Sequence, residues 1–345
     1  YIEKGKAFEI GSRTLAIKKA IQNSDPQEII LVAGKGHEEN QIYKNKIIKT
    51  SDKKIIKKIK FKNKIFTKKE KNFYINKLIL KKILNETKSI NFHGVSIDTR
   101  SIKKNNLFLA LKGKNIDGNK FTYDALKKGA GCVVTSSKLK KNNRKIIRVK
   151  NPVYFLNNFA KIKRDLTSAK IIAITGSAGK TSLKNLIRDL LVSFGKTYSS
   201  PKSFNNNLGV PISLSNLSAE DKFGVFEVGM SRTGEIKNLT KLIKPHFGVI
   251  TNIGEAHLEN FKSIKGIANA KSEIIQNIET GGTIILNRDD KFFNYLAKKA
   301  KKNNLKISTF GFSKKSDVHV IKIIKKNNLS KIFLKAHNQI IDLEI

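Results

Sequence analysis

The stretch Ile171-Ile-Ala-Ile-Thr-Gly176-Ser-Ala-Gly179-Lys180-Thr181-Ser182 sets a glycine-bracketed turn between an apolar, β-branched run and a Lys-Thr pair. Apolar residues then recur at Leu183, Leu186, Ile187, Leu190, Leu191 and Phe194, which is helical spacing. The order is strand, loop, helix. Backbone N–H groups of Gly176, Ser177, Ala178, Gly179, Lys180, Thr181 and Ser182, at the positive end of such a helix, suit phosphate. In a nucleotide loop of this kind the lysine reaches the β- and γ-phosphates and the threonine hydroxyl holds Mg²⁺. The loop is short: Ile174 stands where the usual first glycine would be, leaving Gly-x-x-Gly-Lys-Thr. An ordinary glycine-rich βα turn is the plain alternative.

Three polar residues stand just past other apolar runs, where α/β sheets bind ligands. Glu227 ends the run Phe223-Gly-Val-Phe226 and is either a Mg²⁺ ligand or a solvated strand end. His257 follows the run Phe247-Gly-Val-Ile-Thr251; a lone histidine there is a ligand or a structural residue. Asn287 closes Thr283-Ile-Ile-Leu286 and opens a turn with Asp289 and Asp290, suited to a nucleotide base or to a simple Asx turn. Lys271 falls inside the apolar stripe Ile264, Ile267, Ala268, Ile274, Ile275 and Ile278 of a helix predicted over 263–279. An apolar setting favours the neutral amine. A neutral amine reacts with CO₂ to give a carbamate, an anionic ligand for a second Mg²⁺; a snorkelling lysine is the alternative. Asn205, Asn206 and Asn207 form an amide-rich loop that touches metal or substrate, or is merely a turn.

The elements that must hold these residues fall into three blocks. Residues 1–60 contain a helix near Arg13–Ile21, a strand over 28–33 and the turn Gly34-Lys-Gly-His-Glu38, too little to close a core. Residues 72–150 form a small α/β unit with strand-like Leu107–Leu111 and Gly131–Thr135 and a helix around Phe121–Lys128. Residues 151–345 alternate apolar strands at 171–175, 223–228, 247–251 and 283–287 with helical patterns, which predicts a mainly parallel sheet. Val318–Ile324, Lys331–Leu334 and Ile340–Leu343 read as a terminal antiparallel meander. The fold class is α/β, with a phosphate-loop domain, a smaller α/β domain before it and a partial α/β tail in front.

Composition narrows the function. The net charge is +42, yet only 8 of 69 basic residues are Arg, the side chain favoured for base and phosphate forks. The lysines are spread along the whole length. We therefore read the charge as solvated surface that attracts small anions, and expect no nucleic-acid partner; a basic nucleic-acid-binding protein that uses the loop as a switch is the competing class. No run of 18 apolar residues is present, so no membrane span is expected. The single Cys132 excludes a disulfide within one chain and suits a reducing cytoplasm. The chain begins at Tyr1 and reads as an excerpt.

Taken together, these residues resemble the Mur ligase family, ATP-dependent amide-forming enzymes of peptidoglycan synthesis. The short loop Thr175–Thr181 is similar to that family's version. Within the family, Phe204-Asn-Asn-Asn-Leu-Gly-Val-Pro211, Glu227-Val-Gly-Met-Ser-Arg-Thr-Gly-Glu-Ile236, Thr251-Asn-Ile-Gly-Glu-Ala-His-Leu-Glu259 and Ala270-Lys-Ser-Glu273 resemble the branch that adds D-alanyl-D-alanine. Ser96-Ile-Asp-Thr-Arg100 and Asp117-Gly118 resemble that branch's first domain. The first block, through Arg13, Ala16-Ile17, Ala33–Glu38 and Gln41, resembles the C-terminal tail of the branch that acts just before it. The resemblance implies ATP, two Mg²⁺ ions, UDP-N-acetylmuramoyl-tripeptide and D-alanyl-D-alanine as ligands, and a cytoplasmic monomer. It implies Lys180, His257 and Lys271 in catalysis, and Thr181, Glu227, His257 and carbamylated Lys271 at the metals. It implies Asn287 near adenine and Asp98, Thr99 and Arg100 near uridine. It also implies Gly34 and Glu38 near a diamino acid. The chain is expected to be a fusion piece whose final domain is missing, and so inactive by itself. A related ligase, including the folylpolyglutamate type, is the competing enzyme reading.

Overall fold

The computed structural model of the protein describes residues 12–23, 40–43, 46–49, 68–84, 90, 92–113, 115–138, 143–256, 258–326, 329–337 and 339–344. The chain divides into two units, Tyr1–Thr67 and Lys68–Ile345. In the first, helix α1 (Arg13–Asn23) buries Ile17, and β1 (Asn40–Tyr43) pairs antiparallel with β2 (Lys46–Lys49). Four-residue strands inside a Lys-rich stretch are too short for alternation to reveal. The strand expected over 28–33, with Gly34 and Glu38, lies outside the described residues.

The second unit holds two sheets. The smaller has four parallel strands in the order β3 (Val95–Ser96), β4 (Leu107–Leu109), β5 (Cys132–Thr135) and β6 (Ile146–Arg148). Side chains alternate across it. Leu107, Leu109, Cys132 and Val134 pack with Ile79 and Leu80 of α2 (Lys68–Leu84). Phe108 and Val133 face Ala125 of α3 (Thr122–Lys127). Burial pushes the free Cys132 thiol up, which leaves it inert.

Helix α4 (Pro152–Leu166) opens with Asn151, whose side chain accepts from the Val153 and Tyr154 N–H groups, and with Pro152 in the first turn. Its Phe155, Leu156 and Phe159 complete the core of the small sheet, while Ala160 belongs to the central core. One helix therefore serves both sheets.

The central sheet has nine strands. From one edge they run β15 (Gln339–Glu344), β14 (Leu329–Ala336), β13 (Val318–Lys326), β12 (Lys306–Gly311), β11 (Thr283–Asn287), β10 (Phe247–Ile250), β7 (Lys170–Thr175), β9 (Phe223–Glu227) and β8 (Thr197–Ser199). Strands β7 to β13 are parallel, and the terminal meander β13–β14–β15 is antiparallel, as its spacing suggests. The meander is not a separate piece, because Phe310 and Gly311 of β12 pair with Val318 and His319.

Ile171 and Ala173 of β7 face one core, packed by α6 (Gly209–Asn216), α7 (Glu235–Ile243), α8 (Ile264–Lys271) and α9 (Phe293–Lys302). Ile172 and Ile174 face Leu183, Ile187 and Leu191 of α5 (Lys180–Val192). Two sequence expectations change here. Leu186, Leu190 and Phe194 do not pack: they are 61, 69 and 70% exposed, because only the i, i+4, i+8 line of α5 meets the sheet. The helix predicted over 263–279 is α-helical only to Lys271 and then tightens into a 3₁₀ helix, Ser272–Asn277. There Glu273 accepts the N–H groups of Gly234 (2.7 Å) and Lys237 (3.0 Å), capping the start of α7.

Candidate active site

Strand β7 lies between β9 and β10, and the next strand in sequence, β8, lies beyond β9. The connection after β7 runs toward the β8 edge and the one after β10 runs the other way to β11, which opens a crevice at the carboxyl ends of these strands. The loop after β7 fills that point. Gly176 has φ +153°, and a Cβ there would lie 1.8 Å from Thr251 Oγ1. Gly179 has φ +79° and precedes α5. Both bracketing glycines are thus required by the backbone.

Neighbouring residues after β10 hold the loop. Ser177 N–H donates to the Asn252 carbonyl (3.0 Å) and Oδ1 (3.1 Å), and Ala178 N–H to Asn252 Oδ1 (2.9 Å). Thr251 Oγ1 donates to the Ala178 carbonyl at 2.6 Å. Ser177 Oγ donates to the Gly254 carbonyl (3.0 Å) and accepts from its N–H (2.8 Å). Two N–H groups read from sequence as phosphate donors are therefore spent on Asn252. The N–H groups in the first turn of α5 have no acceptor within the helix.

Lys180 folds over its own loop, its Nζ donating to the Gly176 carbonyl at 2.8 Å. Thr181 Oγ1 donates to Glu227 Oε2 at 2.7 Å, and Asn205 Nδ2 to Glu227 Oε1 at 2.8 Å. Glu227 is only 2% exposed, and its N–H donates to Ser200 Oγ (3.2 Å). Lys184, one turn beyond Thr181, is also buried; burial holds its ammonium below the ordinary lysine range. The described residues hold no cluster of three His, Cys, Asp or Glu. A hydroxyl beside one carboxylate fits Mg²⁺, which keeps several waters and arrives with phosphates rather than in a protein cage.

A cleft of about 270 Å³ continues from this pair, lined by Lys180, Asn205, Asn206, Met230, Glu235 and Lys271. Lys271 is 2% exposed. Burial, and secondarily the Lys180 charge, bring its amine down to about 7. Asn206 Oδ1 accepts from the Leu208 (3.1 Å) and Gly209 (2.9 Å) N–H groups, which starts α6.

A parallel sheet, a short phosphate-type loop and a hydroxyl–carboxylate pair beside two lysines are now in place. The model of the Mur ligase middle domain matches residues 174–345, and that of the Mur ligase family catalytic domain matches residues 91–170. The chain belongs to the Mur ligase family. It is 38% identical over 253 residues to the UDP-N-acetylmuramoyl-tripeptide–D-alanyl-D-alanine ligase of Buchnera aphidicola subsp. Baizongia pistaciae, covering 72% of this chain and 54% of that one. It is 36% identical over 259 residues to the Rickettsia prowazekii ligase of the same name, covering 74% and 58%. The crystal structure of MurF from Acinetobacter baumannii superposes with a TM-score of 0.69 at 26% identity, over 78% of this chain and 60% of that one. MurF from Thermotoga maritima in complex with ADP gives 0.63 at 26%, over 73% and 58%. The chain spans about half the length of the curated relatives it matches.

In this Mur ligase chain the other candidate residues lie further out. Asn287 Oδ1 accepts from Asp289 N–H at 3.0 Å, the Asx-turn geometry. Asp290 Oδ2 accepts Ile253 N–H (2.7 Å) and ties that turn to the loop after β10. Asp98, Thr99 and Arg100 follow β3 in the small sheet. Arg100 forks onto both Asp98 oxygens (2.7–3.1 Å) and holds that carboxyl down to about 2. Thr99 sits in the turn between them. β3 is tied to the site's side of the molecule by Asn216 of α6, which pairs with the Val95 N–H (2.9 Å) and carbonyl (3.0 Å). His257 lies outside the described residues. Sequence reasoning passed over Thr251, Asn252 and Lys184. Thr251 and Asn252 carry the strand-end signal that marked Glu227, whereas Lys184 is one lysine among many.

Proposed function

We propose that this chain is the nucleotide- and UDP-substrate-handling part of a MurF-type ligase. Such a ligase uses ATP to join D-alanyl-D-alanine to UDP-N-acetylmuramoyl-tripeptide. The observation that carries the reading is the 2.7 Å hydrogen bond from Thr181 to the buried Glu227, set beside Lys180 at the β7–β9 crevice. In the reaction the tripeptide carboxylate attacks the γ-phosphate and ADP leaves. The dipeptide amine then displaces phosphate from the acyl phosphate and loses a proton. Lys180 neutralises charge on the transferring phosphoryl group. Thr181 and Glu227 would hold one Mg²⁺, and His257 with a carbamylated Lys271 would hold the other. The metal would supply charge neutralisation to the transferring phosphoryl group.

The finer assignments belong to the same reading. Residues 72–150 take the UDP substrate, with Asp98, Thr99 and Arg100 near uridine. Residues 151–345 take ATP, with Asn287 near adenine and Asn205 and Asn206 at the substrate edge. Residues 1–60 are the tail of a MurE-type domain fused in front, where Gly34 and Glu38 serve a diamino acid. The chain works as a monomer in the cytoplasm. Among the described residues no helix is long and apolar enough to cross a membrane.

Calorimetry of ATP with Mg²⁺ tests the reading. Lys180→Ala should weaken binding about a hundredfold, the scale of a lost charged hydrogen bond. Equal affinity in the variant and the parent chain would sink it.

A further inference from the structure

Lys184 has no role in the reading above, yet it is among the largest fully buried side chains, only 1% exposed. A buried ammonium is costly unless partners hold it. Its partners are specific. Nζ donates to the Lys202 carbonyl at 2.5 Å. It also stands 4.0 Å from Glu227 Oε2, the oxygen that accepts from Thr181. Lys202 has φ +46°, a left-handed backbone that a non-glycine residue rarely adopts. Three residues further on, Asn205 donates to the other Glu227 oxygen and accepts the Gly229 N–H through its carbonyl (2.8 Å each). Ser200, on the near side of the same segment, accepts from the Glu227 N–H at 3.2 Å. Segment 200–205 thus wraps Glu227, and Lys184 grips its middle from α5.

We infer that Lys184 is a positioning residue that locks segment 200–205 and the Glu227 carboxylate to α5, so that Glu227 meets Thr181 in one fixed geometry. This deepens, and rests on, the reading of Thr181 and Glu227 as a Mg²⁺ pair. Lys184 is not among the residues that line the cleft. It is distinct from Lys180, which lines the cleft, and acts from behind the carboxylate.

Two measurements on Lys184→Met test this. The first needs no nucleotide. Amide hydrogen exchange over 200–207 should quicken about tenfold, as when one charged hydrogen bond is lost, with exchange in β4 and β5 unchanged. The second titrates Mg²⁺ against ATP binding by calorimetry. The Mg²⁺ required should rise about tenfold, while binding without Mg²⁺ stays as in the parent chain. In an Asn205→Ala background, where the segment is already released, Lys184→Met should add little. Unchanged exchange over 200–207, or an unchanged Mg²⁺ requirement in a folded variant, overturns the inference. If Lys184→Met does not fold, Lys184→Gln takes its place, keeping a donor for the Lys202 carbonyl without the charge. It should retain slow exchange over 200–207 yet raise the Mg²⁺ requirement; parental behaviour in both overturns the inference. Failure of the parent chain to bind ATP at all would count against the ligase reading instead, and the exchange arm would still decide the role of Lys184.

Discussion

Lys271 and Lys180 line one cleft, and the Lys180 charge adds to the burial cost of protonating Lys271. Only the free amine reacts with CO₂. With Lys271 brought down to about 7, the carbamate should form as pH rises through about 7 and be lost below it at fixed dissolved CO₂. Carbon-13 NMR with labelled CO₂ should show a carbamate resonance at pH 8 that is absent from Lys271→Met; no resonance at pH 8 removes the carbamate from the proposal. Stability follows the same sign. The unfolded lysine titrates near about 10.4, so between the two values the folded state binds fewer protons and stability rises with pH. The cost of charging Lys271 is fully present below about 7, so Lys271→Met should gain on the parent chain there and lose that lead by pH 10. What was legible at this scale was local. Gly176, Gly179, Lys180 and Thr181 announce themselves because one short loop sets their spacing. Asn252 does not, because it meets Ser177 across a separation of 75 residues.

At the scale of elements, the phosphate-type loop is held less by its own residues than by the end of β10. Asn252→Ala leaves the Ser177 and Ala178 N–H groups without their side-chain acceptor. It should lower stability by about 1–3 kcal/mol, read from the urea midpoint, and quicken amide exchange over 175–179. A midpoint and exchange equal to the parent's would mean the loop is self-supporting. Strands β7, β9, β10 and β11 were readable because parallel strands buried on both faces leave unbroken apolar runs. The break at Lys271 was not, since Ile274, Ile275 and Ile278 keep a helical spacing while Glu273 answers to α7. Nor was the exposure of Leu186 and Leu190, because spacing gives the direction of an apolar face but not how much of it a partner covers.

Across the molecule, α4 joins the two sheets through Phe155, Leu156 and Phe159 on one side and Ala160 on the other. Arg164 adds hydrogen bonds to the Ile243 and Lys244 carbonyls (2.6 Å each), and Lys163 one to Asn76 Oδ1 (3.0 Å). Asn216 adds its pair of bonds to β3. The unit Lys68–Ile345 should therefore melt as one. Phe155→Ala should cost about 3–5 kcal/mol and shift exchange in β4, β5, β7 and β9 together; a change in β4 and β5 that left β7 and β9 as in the parent chain would contradict this. The same helix dictates how the gene can be dissected. A coding boundary at 150/151 looks natural from the sequence, yet a recombinant piece starting there would present Phe155, Leu156 and Phe159 to water and strand Lys163 without Asn76. It would be sticky and poorly recovered, whereas a piece starting at Lys68 keeps every one of those partners.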